Sequence, residues 1–315
     1  VTQPPELRSR IAGSLLGGAL AEASTATSGR SFADATQLAL YTVDGLTEAL
    51  EWANDGVAAD ETACLWLAYL RWLRTQGEAP PSSAPAPPSR WLDQQEVMRQ
   101  RRNPDPTNLS SLAGGQMGSR QRPLASADDG PGALQRSAPF GLLPNVPAAM
   151  MERLALDAAA ITHGHPDAQH PSAVLAGLVH EIAIRKQPLP DAVRTVAAQA
   201  EALGAGSLAT DLRALVTDTG SDDLEPPGQN ASQTLCTAIR LALTTAHDDG
   251  AASFSALLTT AAASGESSRV AAALAGNIVG AVHGIDALPQ GAIDTLEGAD
   301  VVVEMASRLA ASIGA

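Results

Sequence analysis

Asp34-Ala35-Thr36-Gln37-Leu38-Ala39-Leu40-Tyr41 opens a stretch in which Leu38, Tyr41, Gly45 and Ala49 recur at three- and four-residue intervals. That spacing puts the four side chains on one face of an α-helix. It returns at Trp66, Leu70 and Leu73, and again at Val302, Met305, Leu309 and Ile313. No segment alternates apolar and polar residues convincingly enough to predict a strand. The expected fold class is therefore all-α.

Composition agrees. Hydrophobic residues make up 45% of the 315-residue chain and aromatic residues only 3%, so Ala, Leu, Val and Ile build the core and allow close helix packing. No linker separates two patterned halves, and a single domain over residues 1–315 is expected. The net charge of −14 and pI near 4.7 argue against non-specific binding to nucleic acid or to an anionic membrane. Lys186 is the only lysine; with abundant Ala and Gly, this suggests a GC-rich genome such as an actinobacterium's. No run of about 20 apolar residues appears, and residues 1–6 lack the basic, then apolar pattern of a leader. A cytoplasmic location is the resulting expectation. Cys64 and Cys236 lie in apolar helical patterns without metal-site or redox spacing, so buried free thiols are expected.

Two loops punctuate the helices. Residues 78–90 carry Pro every few positions and read as an extended surface connector. Residues 118–133 end in Gly130-Pro131-Gly132, whose backbone can approach a phosphate closely, although Pro131 removes one amide donor. Asp128 and Asp129 flank that loop, and adjacent acids repel a pyrophosphate. Glu22 reads either as a group facing a cleft or as a surface residue at a helix C-terminus. His163 and His165 read either as acid–base groups near neutral pH or as structural residues satisfying terminal helix carbonyls. The chain contains no Gly-x-Ser-x-Gly, His-Glu-x-x-His or Walker-type phosphate loop.

Five segments carry a resemblance, in order along the chain. They are Ile11-Ala12-Gly13-Ser14-Leu15-Leu16-Gly17-Gly18-Ala19-Leu20-Ala21-Glu22-Ala23; Ala33-Asp34-Ala35-Thr36-Gln37; Gly130 through Leu142, preceded by Asn108 through Gly115; Thr162-His163-Gly164-His165-Pro166; and Gly265 through Asn277 with Gly284-Ile285-Asp286-Ala287-Leu288-Pro289. Together they resemble the ADP-ribosylglycohydrolase family, all-helical hydrolases related to the enzyme that removes ADP-ribose from dinitrogenase reductase. The resemblance implies a compact domain of orthogonal helices. It also implies a cleft in which two magnesium ions polarise the ribose diol and position a water for cleavage at the anomeric carbon.

The framework of that cleft is matched better than its ligands. The family's Thr-Asp-Asp falls on Ala33, Asp34 and Ala35. Its later two Asp and one Ser/Thr fall on Ser267, Arg269 and Val270, or, one residue shifted, on Glu266, Ser268 and Arg269. In either register a carboxylate is missing and a cation stands in or beside a metal position. The expectation is a metal-free cleft in which Arg269 either pairs with Asp34 or points to solvent. The resemblance further implies ligand contacts from Thr36, Gly130, Gly132, Ala133, Arg136, His163 and Arg269, and any residual catalysis from Asp34 and Glu22. Three functions follow as expectations. One is a pseudoenzyme binding an ADP-ribose-like molecule or an ADP-ribosylated protein without a metal cofactor. Another is a repurposed metal-independent enzyme using Asp34, Glu22 or the histidines. The third is a residual hydrolase with one metal on Asp34 and Glu266.

Overall fold

A computed structural model describes residues 6–27, 30–217, 230–246 and 249–315; most of the leader region read above lies outside them. Helices α1 to α13 span Leu7–Ser24, Asp34–Asn54, Glu61–Thr75, Pro106–Ala113, Ala148–Ala160, Pro166–Ala183, Leu189–Ala202, Gly206–Thr217, Ala231–Thr244, Gly250–Ser264, Arg269–His283, Gln290–Thr295 and Ala299–Ser312. Among the described residues there is no strand, and no helix is long and apolar enough to cross a membrane. The all-α expectation holds.

Helices α1 and α11 form the central pair, with α2, α6, α10 and α13 packed around α1 and with α9 and α10 against α11. α1 is buried on nearly every side from Arg10 to Ala23, as a helix in the middle of a large core must be. Glycine makes the close approach possible. A Cβ on Gly280 would lie 2.0 Å from the carbonyl oxygen of Gly13, and one on Gly276 would lie 2.2 Å from that of Gly17. The backbones touch, and Asn277 Nδ2 donates to the Ser14 carbonyl at 2.8 Å to fix the register. Gly280→Ala places a methyl against the α1 backbone at Gly13 and Ser14, with nothing flexible to displace. It is expected to lower stability by at least the ~1–3 kcal/mol typical of overpacking, read from the urea midpoint.

The turn before α11 positions the later chemistry. Gly265 ends α10 at φ 69°, a left-handed conformation that glycine adopts without strain. A single turn, Glu266–Ser268, then leads directly to Arg269 at the first position of α11. Cys64 is buried but Cys236 is only half-buried, a partial correction to the expectation of two buried thiols; neither forms a disulfide. Cys236 packs partly buried against the core, and burial still pushes its thiol up to about 12.

Candidate functional site

Two helix N-termini face each other across the site. α2 begins at Asp34 and α11 at Arg269. A carboxylate at the first position of a helix is favoured by the unpaired N–H groups and the helix dipole, whereas a guanidinium there is disfavoured. Ala33, at the N-cap of α2, has no side chain with which to cap it. Glu22, from the end of α1, supplies the cap instead: its oxygens accept from the N–H groups of Ala35 at 3.2 Å and Thr36 at 3.0 Å. Its side chain has no exposed surface. The surface reading of Glu22 is therefore corrected, because its carboxylate closes a helix end from another element.

Asp34 is also without exposed surface. One of its oxygens accepts from Arg269 Nη2 at 2.9 Å, and the other accepts from Gln135 Nε2 and from the backbone N–H of Asp105, both at 2.9 Å. Arg269 Nε stands 3.5 Å from Glu22, and Nη2 also donates to the Asn103 carbonyl at 3.2 Å. One guanidinium thus bridges two buried carboxylates that would otherwise repel each other. The solvent-facing reading of Arg269 is set aside by this geometry, and the Asp34–Arg269 ion pair is present. Ser267 and Glu266 are exposed, Val270 is half-buried and Ser268 is buried. Of the residues in the two alternative registers, Arg269 is the one bonded to Asp34.

Burial drives the Asp34 carboxyl up to about 6, against the attraction of Arg269, with the Glu22 charge adding to the rise. A carboxyl whose folded value lies above its ordinary 3.8 holds its proton more tightly when folded. The resulting stabilisation is complete below pH ~4 and is lost as pH rises through ~6. The stability of the wild type relative to Asp34→Asn is expected to fall by on the order of 3 kcal/mol across that window. A flat difference in urea titrations from pH 4 to 7 would show that Asp34 keeps an ordinary value.

Next to this cluster lies a buried polar network beneath the glycine loop. Arg136 donates to Asn108 Oδ1 at 2.5 Å, to Thr162 Oγ1 at 2.7 Å and to the Ala158 carbonyl at 3.3 Å, with its guanidinium 4.3 Å from the centre of the Tyr69 ring. Asn108 Nδ2 donates to the Gly132 carbonyl at 2.8 Å. These bonds hold the loop from below. Arg136 and Ala133 are fully enclosed, so Arg136 positions the loop, and its hydrogen bonds are all internal.

His163 Nδ1 shares a hydrogen with Thr162 Oγ1 at 2.8 Å, and Nε2 faces Asp105 at 3.9 Å. Burial, with the nearby Arg136 charge, drives this imidazole down to about 3. The acid–base reading of His163 near neutral pH is corrected by that burial. His165 Nδ1 accepts from the Asp167 N–H. It caps the start of α6 by accepting from an N–H, so its structural role lies at a helix N-terminus and not on terminal carbonyls. The phosphate-cradle reading of the loop also changes. The Gly130 N–H is donated to Asp128 Oδ1 at 2.8 Å, Pro131 has none to offer, and Gly132 is buried. Asp128 accepts from Thr107 as well, so the acid folds back onto the loop. Thr36 and Gln135 border a void of about 10 Å³, room for about one water.

Residues 3–315 match the sequence profile of the ADP-ribosylglycohydrolase family. The chain belongs to this family. No curated protein matches it significantly. A solved structure described as an ADP-ribosylglycohydrolase-related protein complex superposes over 98% of this chain and 99% of its own, with a TM-score of 0.63 and 22% identity. Gln135, Asp105 and the Asn103 carbonyl were not foreseen as parts of the site. Asp105-Pro106 could have signalled a helix start, since Asp at the N-cap followed by Pro is a recognisable pattern, and Asp105 does accept from the Asn108 N–H. That pattern carried no hint that the Asp105 backbone N–H would reach Asp34.

Proposed function

We propose that this chain is a degenerate ADP-ribosylglycohydrolase that binds an ADP-ribose-related ligand, free or attached to a protein, without magnesium-dependent hydrolysis. The observation that carries this reading is the Arg269 guanidinium between Asp34 and Glu22. A pair of magnesium ions requires several hard oxygens turned toward it to offset the charge of the two cations. Here both oxygens of each carboxylate face N–H donors, and the missing partners are Ala33, Ala35 and Val270 or Ser268. Among the described residues no three His, Cys, Asp or Glu side chains gather as a metal site. This donor set does not fit two dications.

A ligand in such a cleft meets a different field. Arg269 is partly exposed, and so are Gly130 and Asp105. Arg269 therefore offers N–H groups to an anionic or hydroxyl-rich ligand, while the Asp34 and Glu22 charges behind it hold the guanidinium in place. The test is calorimetric titration of ADP-ribose with magnesium and again with EDTA, beside an assay for release of ADP-ribose from a modified protein. Binding in both buffers without turnover is the expected result. Binding or turnover only with magnesium would overturn the reading in favour of a residual hydrolase on Asp34 and Glu266.

A metal-independent catalyst is a second reading, favoured by one observation: the Asp34 carboxyl is held near 6, a range suited to general acid–base work at neutral pH. Against it, Asp34 is wholly enclosed and both its oxygens are engaged. That reading requires EDTA-resistant turnover that disappears in Asp34→Asn.

A further inference from the structure

A second cavity, of about 340 Å³, lies between the C-terminal end of α3, the Pro-rich loop and the turn Glu96–Arg99, lined by Arg71, Arg74, Thr75, Gly77, Ser89, Asp93 and Arg99. Its volume is in the range of small-molecule pockets. It is also far from the ancestral cleft. Arg71 grips Asp44, ten residues along α2 from Asp34, which is ~15 Å of helix.

The charges around this cavity are uneven. Arg71 is held by Asp44 and Glu48, and Asp93 is occupied by the Tyr41 hydroxyl at 3.0 Å and the Arg90 N–H at 2.8 Å. The nearby Glu78 is taken by Arg101. Arg74 and Arg99, in contrast, have no carboxylate within ion-pair range among the described residues. Each is tethered to the wall by one bond to a carbonyl, Arg74 Nη1 to Pro87 at 3.2 Å and Arg99 Nε to Asp93 at 3.1 Å. Both arginines are exposed, on opposing elements, and the Ser89 hydroxyl is exposed beside them. A chain of net charge −14 thus keeps two uncommitted guanidinium forks over one concavity. Their parallel N–H groups match the oxygens of phosphate, and two of them match a multiply charged group.

We propose that this cavity is a binding site for a small phosphorylated molecule, with the phosphate or polyphosphate between Arg74 and Arg99 and the remainder of the ligand over Thr75, Gly77 and the Pro-rich loop. The site is separate from the cleft around Asp34 and stands whether or not that cleft takes ADP-ribose. It gives the loop at 78–90 a role beyond connection, since Ser89 and the carbonyl that holds Arg74 both come from it.

Inorganic pyrophosphate, titrated calorimetrically into the full chain without metal, is the first probe, with citrate as the polycarboxylate comparison. Pyrophosphate is expected to bind. Arg74→Gln and Arg99→Gln are each expected to weaken it roughly tenfold, the loss of one charge-assisted contact, while Arg185→Gln, an exposed arginine elsewhere, leaves it unchanged. Because Arg74 and Arg99 are exposed, their variants should keep the wild-type unfolding temperature, separating lost binding from lost structure. Undetectable pyrophosphate binding, or equal binding by the double variant and the wild type, would overturn the site. Tighter binding of citrate with the same arginine dependence would overturn the phosphate assignment.

Discussion

Replacing Arg269 with alanine is expected to destabilise the fold by about 3–5 kcal/mol, the range for removing one partner of a buried ion pair. Arg269 is the cation between Asp34 and Glu22, whose side chains have no exposure. Without it, two negative groups face each other in a poorly solvated site, offset only by the N-terminus of α2, the Gln135 amide and the Asp105 N–H. Part of the loss would be relieved by proton uptake on Asp34, which already titrates near 6. The deficit should therefore be greater at pH 8 than at pH 5. Urea unfolding of wild type and Arg269→Ala at both pH values measures it. A loss below about 1 kcal/mol, independent of pH, would place the pair among surface salt bridges of little consequence. The same variant probes the proposed exchange of metal for guanidinium. Magnesium should raise the unfolding temperature of Arg269→Ala more than that of the wild type, because only the variant leaves Asp34 and Glu22 without Arg269 between them.

Arg269 sits against the dipole of its own helix, so the interaction that keeps it there must come from elsewhere. Asp34 at the start of α2 provides it, with the helix dipole in its favour. Both helix N-termini suit carboxylates, and on the proposed function Ala33, Ala35 and Val270 are changed ligands on retained helix starts. That division explains what was legible in sequence. The helices were readable because apolar residues recur with helical spacing, and the family was readable because its framework motifs stand in order. Arg269 was readable because it falls within both alternative registers of the family's later motif.

The finer site was not legible for a physical reason. Glu22 caps α2 from 13 residues away, Gln135 reaches Asp34 across 101 residues, and the Asp105 N–H does so across 71. Such bonds depend on where helices pack, and no local pattern records them. Asp128 illustrates the same limit. Adjacent acids suggested repulsion of a bound anion, whereas in the fold Asp128 turns onto Thr107 and the Gly130 amide. Burial also decides chemistry that residue type leaves open, as His163 shows by remaining neutral where an exposed histidine would titrate.

Arg71→Ala is expected to have an effect as large as Arg269→Ala, also about 3–5 kcal/mol, and it acts on the fold at the α2–α3 contact. The Arg71 guanidinium is almost entirely enclosed, 2.5 Å from Asp44, 3.5 Å from Glu48 and 3.6 Å from Asp93. Arg90 adds a second cation on Asp44 at 3.1 Å, so two arginines balance three largely buried acids, with Glu51 at the exposed edge. Removing Arg71 leaves the three acids with one cation, and Glu48 loses its one ion-pair partner among the described residues. Arg71→Lys should recover part of the stability but not all, because an ammonium cannot face three carboxylates from the separate nitrogens of a planar group. A double-mutant cycle with Asp44→Ala isolates the pair. A large coupling free energy is expected, since each single variant strands a charge that the double variant removes. If Asp44→Ala and Arg71→Ala instead add independently, Arg71 acts through packing against α2, and the acids around it are stabilised by Arg90 and the Tyr41 hydroxyl.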